Sequence, residues 1–180
     1  GIDIRKFGSG NVGATNVLRV LGRVPAITVL ALDIFKGFAA AVFVADFITL
    51  KSLPIPPEAL RIILGFSCIA GHNWTIFLGF KGGKGVASTL GVLSGLAVRI
   101  AGFNLVFGLV ILTWLVVFIP SRIVSLASLA SGLSIPIYMV IFRQSRMMVI
   151  SGFAIAVFII LRHKANIRRI LQGKEPRTNF

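Results

Sequence analysis

Long apolar stretches alternate with short polar ones along this chain, and their lengths set the first expectation. Residues 24–48, 59–78, 86–100, 102–119, 123–142 and 147–161 are each apolar, and most are long enough as helices for a large part of a bilayer's ~30 Å of hydrocarbon. The run at 86–100 is short. Pro25 suits the first turn of the first run. Asp33 and Lys36 stand at i,i+3 inside it, where pairing lowers the cost of burial, so a structural ion pair is preferred to a catalytic role. Asp46 ends the run, and 51–58 with Pro54, Pro56 and Pro57 reads as a stiff loop. The second run is interrupted by Gly71-His72-Asn73-Trp74, whose histidine either packs helices or lines a site. Ser88, Thr89, Ser94 and several small residues allow the third run to pack closely. Pro120-Ser121-Arg122 breaks the fourth run. The fifth carries Ser125, Ser128, Ser131 and Ser134 and is bent by Pro136. From Arg162 onward the tail is basic and helical for two or three turns. The fold class expected is all-α, a polytopic integral membrane helix bundle forming one domain over residues 1–180.

Composition supports a membrane setting and narrows the partners. Hydrophobic residues make up 56% of the chain and charged ones 13%, against about 25% charged in soluble domains. The charge is lopsided, at +14. In this setting anionic lipid head groups and phosphorylated substrates fit better than nucleic acid, for which no basic stripe with interleaved aromatics is present. If each run reverses direction, residues 1–24, the 79–85 loop, Arg122 and the tail share one side. That side holds thirteen Lys and Arg and the opposite one five, so the richer side is cytoplasmic. Cys68 alone makes neither an internal disulfide nor a metal cluster and reads as a packed residue. The chain opens on Gly1 in a charged segment without a signal peptide, which suggests a preceding segment.

The most distinctive stretch is Gly79-Phe80-Lys81-Gly82-Gly83-Lys84-Gly85. Four glycines let the backbone turn sharply and bring N–H groups toward one ligand, and two lysines add point charges suited to phosphate. The bland alternative is a glycine turn with membrane-anchoring lysines. The stretch fails the nucleotide P-loop pattern, because Leu78 stands where its first glycine belongs and Gly85 where a Ser or Thr should be. Gly8, Gly10 and Gly13 satisfy G-x-G-x-x-G, with Asp33 twenty residues on. No β-run precedes them, so the dinucleotide reading fails too. Ser9, Asn11, Thr15, Asn16 and Arg19 nevertheless put hydroxyls, amides and a guanidinium on one stretch, a set suited to a polyol phosphate. Together with Lys81/Lys84, residues 121–128 and residues 163–166, it is expected to form one cytoplasmic anion-binding basin.

Acids are scarce in that basin, with only Asp3 and Glu175 in its loops, so a paired-carboxylate mechanism is disfavoured. His72 and His163 are the only histidines, without a metal-ligand pattern. A Ser9–His163–Asp3 triad lacks its motif context. What remains is positioning and charge neutralisation around phosphate. A transporter or receptor for an anionic metabolite is the rival reading. No repeat between halves supports it, and the polar groups lie in loops rather than at mid-membrane.

Three stretches carry a family resemblance. Gly8-Ser9-Gly10-Asn11-Val12-Gly13-Ala14-Thr15-Asn16-Val17-Leu18-Arg19, the 79–85 loop and Arg162-His163-Lys164-Ala165-Asn166-Ile167 resemble the three cytoplasmic motifs of the PlsY family. These are bacterial acyl-phosphate-dependent glycerol-3-phosphate acyltransferases. Leu32-Asp33-Ile34-Phe35-Lys36-Gly37 and Val124-Ser125-Leu126-Ala127-Ser128 resemble intervening segments, so the likeness runs through nearly the whole chain. It implies seven membrane helices, the first lying upstream of this sequence, in a bacterial inner membrane with the site facing the cytoplasm. It implies acyl transfer from acyl phosphate to the 1-hydroxyl of glycerol 3-phosphate, giving lysophosphatidate and inorganic phosphate, the first acylation step of phospholipid synthesis. Carried over by motif position, Ser9, Arg19, Lys84 and His163 are catalytic. Asn11, Thr15, Asn16, Lys81, Gly82, Gly83, Gly85, Ser125 and Asn166 bind substrate, with Lys81/Lys84 and their loop as a phosphate hole. The partners implied are acyl phosphate, glycerol 3-phosphate and membrane lipid, with no cofactor, metal or nucleic acid, and the protein acting as a monomer. With no convincing protein base, a substrate phosphate oxygen is expected to take the hydroxyl proton, His163 being the competing base.

Overall fold

The computed structural model describes residues 2–51 and 54–178. Ser52 and Leu53, within the predicted 51–58 loop, lie outside the described residues, as do Gly1, Asn179 and Phe180. The described residues form helices, turns and loops, with no strand among them. They divide into two compact units, Gly1–Gly95 and Leu96–Phe180.

In the first unit a short 3₁₀ turn, Ile4–Lys6, precedes α1 (Ala14–Leu21). Helix α2 (Arg23–Ala39) runs through a π-helical turn, Ala40–Val44, into α3 (Ala45–Thr49). The wider turn disturbs the regular carbonyl ladder, and α4 (Pro57–Asn73) compensates. Its buried Arg61 donates to the Ala41 carbonyl at 2.8 Å and pairs with Asp46 Oδ1 at 2.5 Å. Asp46, expected to end the first run, is thus paired within it, and the helix continues to Thr49.

Helix α5 (Val86–Arg99) belongs to this unit through Gly95. Three glycines let it approach its neighbours at backbone distance. A Cβ on Gly37 would overlap the Ser88 carbonyl, one on Gly91 the Ile34 carbonyl, and one on Gly65 the Val92 side chain. These are the close approaches that small residues permit between membrane helices.

In the second unit α6 (Phe103–Ser121), α7 (Val124–Ile141) and α8 (Arg146–Arg162) pack in sequence, with α7 between the other two. Thr113 and Tyr138 share a 2.8 Å hydrogen bond between α6 and α7. Gly132 faces Ile159, and Gly152 faces Met139, across the α7–α8 seam. The fourth run ends at Pro120-Ser121-Arg122, as the sequence suggests, with Pro120 still helical. Pro120 lies in the last turn, and the helix closes on Arg122 in the left-handed region at φ 55°. Chain direction turns by 66° between α8 and α9 (Lys164–Leu171) at His163.

The surface is the reverse of a soluble protein's. Ile27, Leu32, Phe35, Val116, Ile119 and Phe153 are exposed, while Ser88, Thr89, Ser125, Ser128, Ser131 and Ser134 are buried. Such apolar coverage needs lipid as its solvent. Among the described residues, Arg23–Thr49, Phe103–Ser121 and Val124–Ile141 are long and apolar enough to cross a membrane, and the bent α8–α9 pair makes a fourth candidate. All six predicted apolar runs contain a helix, and the second run's helix stops at Asn73, within the expected interruption at 71–74.

Candidate functional site

The end of α4 builds the first unit's polar cluster. After Asn73 the chain leaves helical geometry at Trp74, makes a 3₁₀ turn over Ile76–Leu78, and reverses through Gly79 and Phe80 at φ 59° and 62°. The glycine-lysine loop then folds back onto the carbonyls that α4 leaves unpaired at its C-terminus. Gly83 N–H donates to the His72 carbonyl at 3.0 Å and Gly82 N–H to the Asn73 carbonyl at 3.2 Å. These two amides thus dock the loop onto α4. Gly82 and Gly83 are needed because Cβ atoms there would overlap the His72 carbonyl and the His72 ring. Gly85, at φ 77°, hands the chain to α5, and its carbonyl accepts from Thr89 N–H at 2.8 Å. Lys81 is exposed and Lys84 half-buried.

Beneath the loop lies a constellation that joins residues far apart in sequence. Lys36 Nζ sits 2.5 Å from Asp33 Oδ1 and 2.7 Å from His72 Nδ1. The intrahelical pair read from the sequence is present, and His72 completes it. Next door, Asn73 is 1% exposed, and neither polar atom of its amide has a hydrogen-bond partner among the described residues. The same holds for the Ser88 and Thr89 hydroxyls. An orphaned buried amide costs about 1–3 kcal/mol, so Asn73 marks a place where a polar ligand or water belongs.

The first motif folds around Asn16, which is 2% exposed. Its Oδ1 accepts from Ser9 N–H at 2.8 Å, and its Nδ2 donates to the Phe7 carbonyl at 3.1 Å. Gly8 is required at φ 59°, where a Cβ would overlap Asn16 Oδ1. Asn11 Oδ1 accepts from Gly13 N–H at 2.9 Å, just ahead of α1. Both asparagines therefore shape the loop, Asn16 through both ends of its amide and Asn11 through its oxygen. Ser9 and Arg19 are exposed, and Thr15 is half-buried on α1's first turn.

The second unit has its own centre, Glu175, whose side chain is 4% exposed. Its Oε1 accepts from Ser125 Oγ at 2.7 Å and Asn166 Nδ2 at 2.5 Å, and its Oε2 from Arg169 Nε at 2.6 Å. Burial alone pushes this carboxyl up. The three hydrogen bonds and the Arg169 charge outweigh it and hold Glu175 below the ordinary glutamate range. Ser125 stands in the first turn of α7, where a carboxylate also meets the positive helix end. The tail reaches this place because Thr178 N–H bonds the Arg122 carbonyl at 2.8 Å. The other serines of the stripe turn inward on their own helix. Ser128, Ser131 and Ser134 donate to the carbonyls of Val124, Ser128 and Ser131.

His163 lies at the α8–α9 bend, 2% exposed. Its Nδ1 is 2.8 Å from the Ile159 carbonyl. A carbonyl only accepts, so Nδ1 carries a proton, which in the neutral ring leaves the lone pair on Nε2. Sequence reasoning singled out Ser125, His163 and Asn166, and counted Glu175 only as one of two acids in the basin's loops.

The comparisons with known proteins agree along the whole length. Residues 1–173 match the family model described as glycerol-3-phosphate acyltransferase. The glycerol-3-phosphate acyltransferase of Chlorobium limicola is 38% identical over 209 residues, spanning 100% of this chain and 86% of that protein. The Trichormus variabilis enzyme of the same name is 42% identical over 190 residues, covering 98% and 80%. Among solved structures, PlsY, an integral membrane glycerol 3-phosphate acyltransferase, superposes in its glycerol 3-phosphate form with a TM-score of 0.84. It is 37% identical, and the match covers 99% of this chain and 84% of that one. The lysophosphatidic acid form matches with a TM-score of 0.79 and 37% identity, covering 96% and 82%.

Proposed function

The chain belongs to the glycerol-3-phosphate acyltransferase family and is a multi-pass membrane acyltransferase; from that premise we propose its donor, its site and its orientation. The donor is an acyl phosphate and the acceptor the 1-hydroxyl of glycerol 3-phosphate. The hydroxyl oxygen attacks the acyl carbon, the carbon–oxygen bond to phosphate breaks, and lysophosphatidate and inorganic phosphate leave. The proton passes to a phosphate oxygen of substrate, which needs no protein base.

The character of the two polar clusters supports this assignment. In the first unit Lys81, Lys84 and Arg19 are cationic donors, with the Ser9 and Thr15 hydroxyls nearby in sequence, a set that suits phosphate oxygens. Gly82, Gly83 and Gly85 shape that loop, and Asn11 and Asn16 hold the first motif in place. The unpartnered Asn73 amide joins the donor set. The second unit leans the other way. Ser125 gives its proton to Glu175, so its oxygen accepts, and a neutral His163 presents a lone pair on Nε2. Acceptors of this kind fit the hydroxyl hydrogens of a glycerol moiety, with Asn166 beside them. The observation that carries the reading is the Glu175 centre, which turns Ser125 and Asn166 into an oriented polyol site.

The positive-inside asymmetry supports a site facing the cytoplasm, and the bacterial relatives support a bacterial inner membrane. The protein acts as a monomer on acyl phosphate, glycerol 3-phosphate and lipid. Equimolar formation of phosphate and lysophosphatidate from palmitoyl phosphate and glycerol 3-phosphate tests the assignment.

A further inference from the structure

The Asp33–Lys36–His72 constellation has a direction built into it. An ammonium group can only donate, so Lys36 at 2.7 Å obliges His72 Nδ1 to accept. Asp33 Oδ1 is 3.3 Å from the same nitrogen, farther than Lys36, and it anchors the ammonium at 2.5 Å. The neutral ring therefore carries its proton on Nε2. The His72 side chain is 9% exposed, and Nε2 is turned to Gly83, where a Cβ would overlap it. The contacts His72 makes with Lys36 and Asp33 both run through Nδ1. An N–H with its tautomer fixed from behind and its front under a glycine-lysine loop is an arrangement for donating to a ligand of that loop.

We propose that His72 Nε2–H is a substrate-contacting donor to the phosphate held by the glycine-lysine loop, and that Lys36 and Asp33 are positioning residues that set its tautomer. The proposal rests on the reading that this loop takes a substrate phosphate. It gives the helix-buried pair a task beyond neutralising itself, and it explains why position 83 tolerates no side chain. A neutral imidazole N–H stabilises a phosphate oxygen without adding a second cation against the Lys36 ammonium.

The test uses the full-length protein in lipid nanodiscs, labelled with ¹⁵N-histidine. These 180 residues contribute two imidazoles, and His72→Gln identifies the His72 signal by its loss. Wild type should show the Nε2–H tautomer at His72, and Lys36→Met should give a mixture of tautomers. Titration with inorganic phosphate should move the Nε2–H resonance. In kinetics, His72→Leu should weaken phosphate inhibition about tenfold, while His72→Gln, which keeps an N–H donor, should stay within about threefold of wild type. A wild-type Nδ1–H tautomer overturns the proposal. So does an unmoved Nε2–H while phosphate still competes with acyl phosphate, a result that leaves the loop reading standing. Phosphate that neither binds nor competes removes both. The wild-type titration decides the matter even where a variant fails to fold.

Discussion

Asn166 donates to Glu175 across 2.5 Å, from the penultimate turn of one helix to a tail residue beyond its end. Ser125 reaches the same carboxylate oxygen from α7 and Arg169 reaches the other, so one buried charge organises three side chains. Removing it leaves Arg169 without its counter-charge and Asn166 without its anchor. Glu175→Gln should destabilise the fold by about 3 kcal/mol, read as a lower unfolding midpoint in detergent. The sign of the pH dependence follows from the depressed titration of this carboxyl. Its contribution is complete above the ordinary glutamate range and is lost as pH falls through the lower folded-state value. Wild type should therefore lose stability toward acid more steeply than Glu175→Gln, whose profile should be flatter there.

Gly83 and Gly71 provide a matched pair. A Cβ on Gly83 would overlap the His72 ring, whereas one on Gly71 meets nothing within 4 Å. Gly83→Ala should lower kcat/KM at least about tenfold by lifting the loop, and Gly71→Ala should leave it unchanged within about twofold and raise stability by up to about 1 kcal/mol. Steady-state kinetics and thermal unfolding of the two variants check both halves.

The serine stripe of α7 separates by partner. Ser125 alone among its four serines bonds the tail carboxylate, while the others bond carbonyls of their own helix. Alanine at 125 should raise KM for glycerol 3-phosphate about tenfold. Alanine at 128, 131 or 134 should change it less than about threefold. Titrations of glycerol 3-phosphate at saturating donor distinguish these outcomes.

With its proton on Nδ1, a neutral His163 has its lone pair on Nε2 and is able to compete as base. With substrate phosphate taking the proton, His163→Gln should act mainly on KM and leave kcat within about tenfold of wild type. A fall in kcat of several orders of magnitude, with folding intact, would assign the proton to the imidazole instead.

Much of this was legible before the structure. Apolar runs long enough for helices, the Asp33–Lys36 spacing and the basic loops depend on neighbours in sequence, and all reappear. What was not legible depends on contacts over distance. Nothing near Glu175 says that Ser125, fifty residues earlier, will meet it. His72 could be read as packing or as a site residue until Lys36, thirty-six residues away, was seen on its Nδ1. Polar residue type also does not show which groups serve the backbone. Asn11 and Asn16 look like ligand groups but bond amides of their own motif, and Gly82 and Gly83 spend N–H groups on the end of α4. The π turn at Ala40–Val44 has no local signal, since its support comes from Arg61 on the next helix.

The central claim is acyl transfer from acyl phosphate at a cationic glycine-lysine loop. It is tested most directly by supplying the lipid-reconstituted, full-length protein with glycerol 3-phosphate and either palmitoyl phosphate or palmitoyl-coenzyme A, and following phosphate and lysophosphatidate together. Equimolar products are expected from palmitoyl phosphate only, with kcat/KM reduced at least about a hundredfold in Lys84→Ala and in Arg19→Ala. Lysophosphatidate formed from palmitoyl-coenzyme A alone, or full activity in both variants, would contradict the claim.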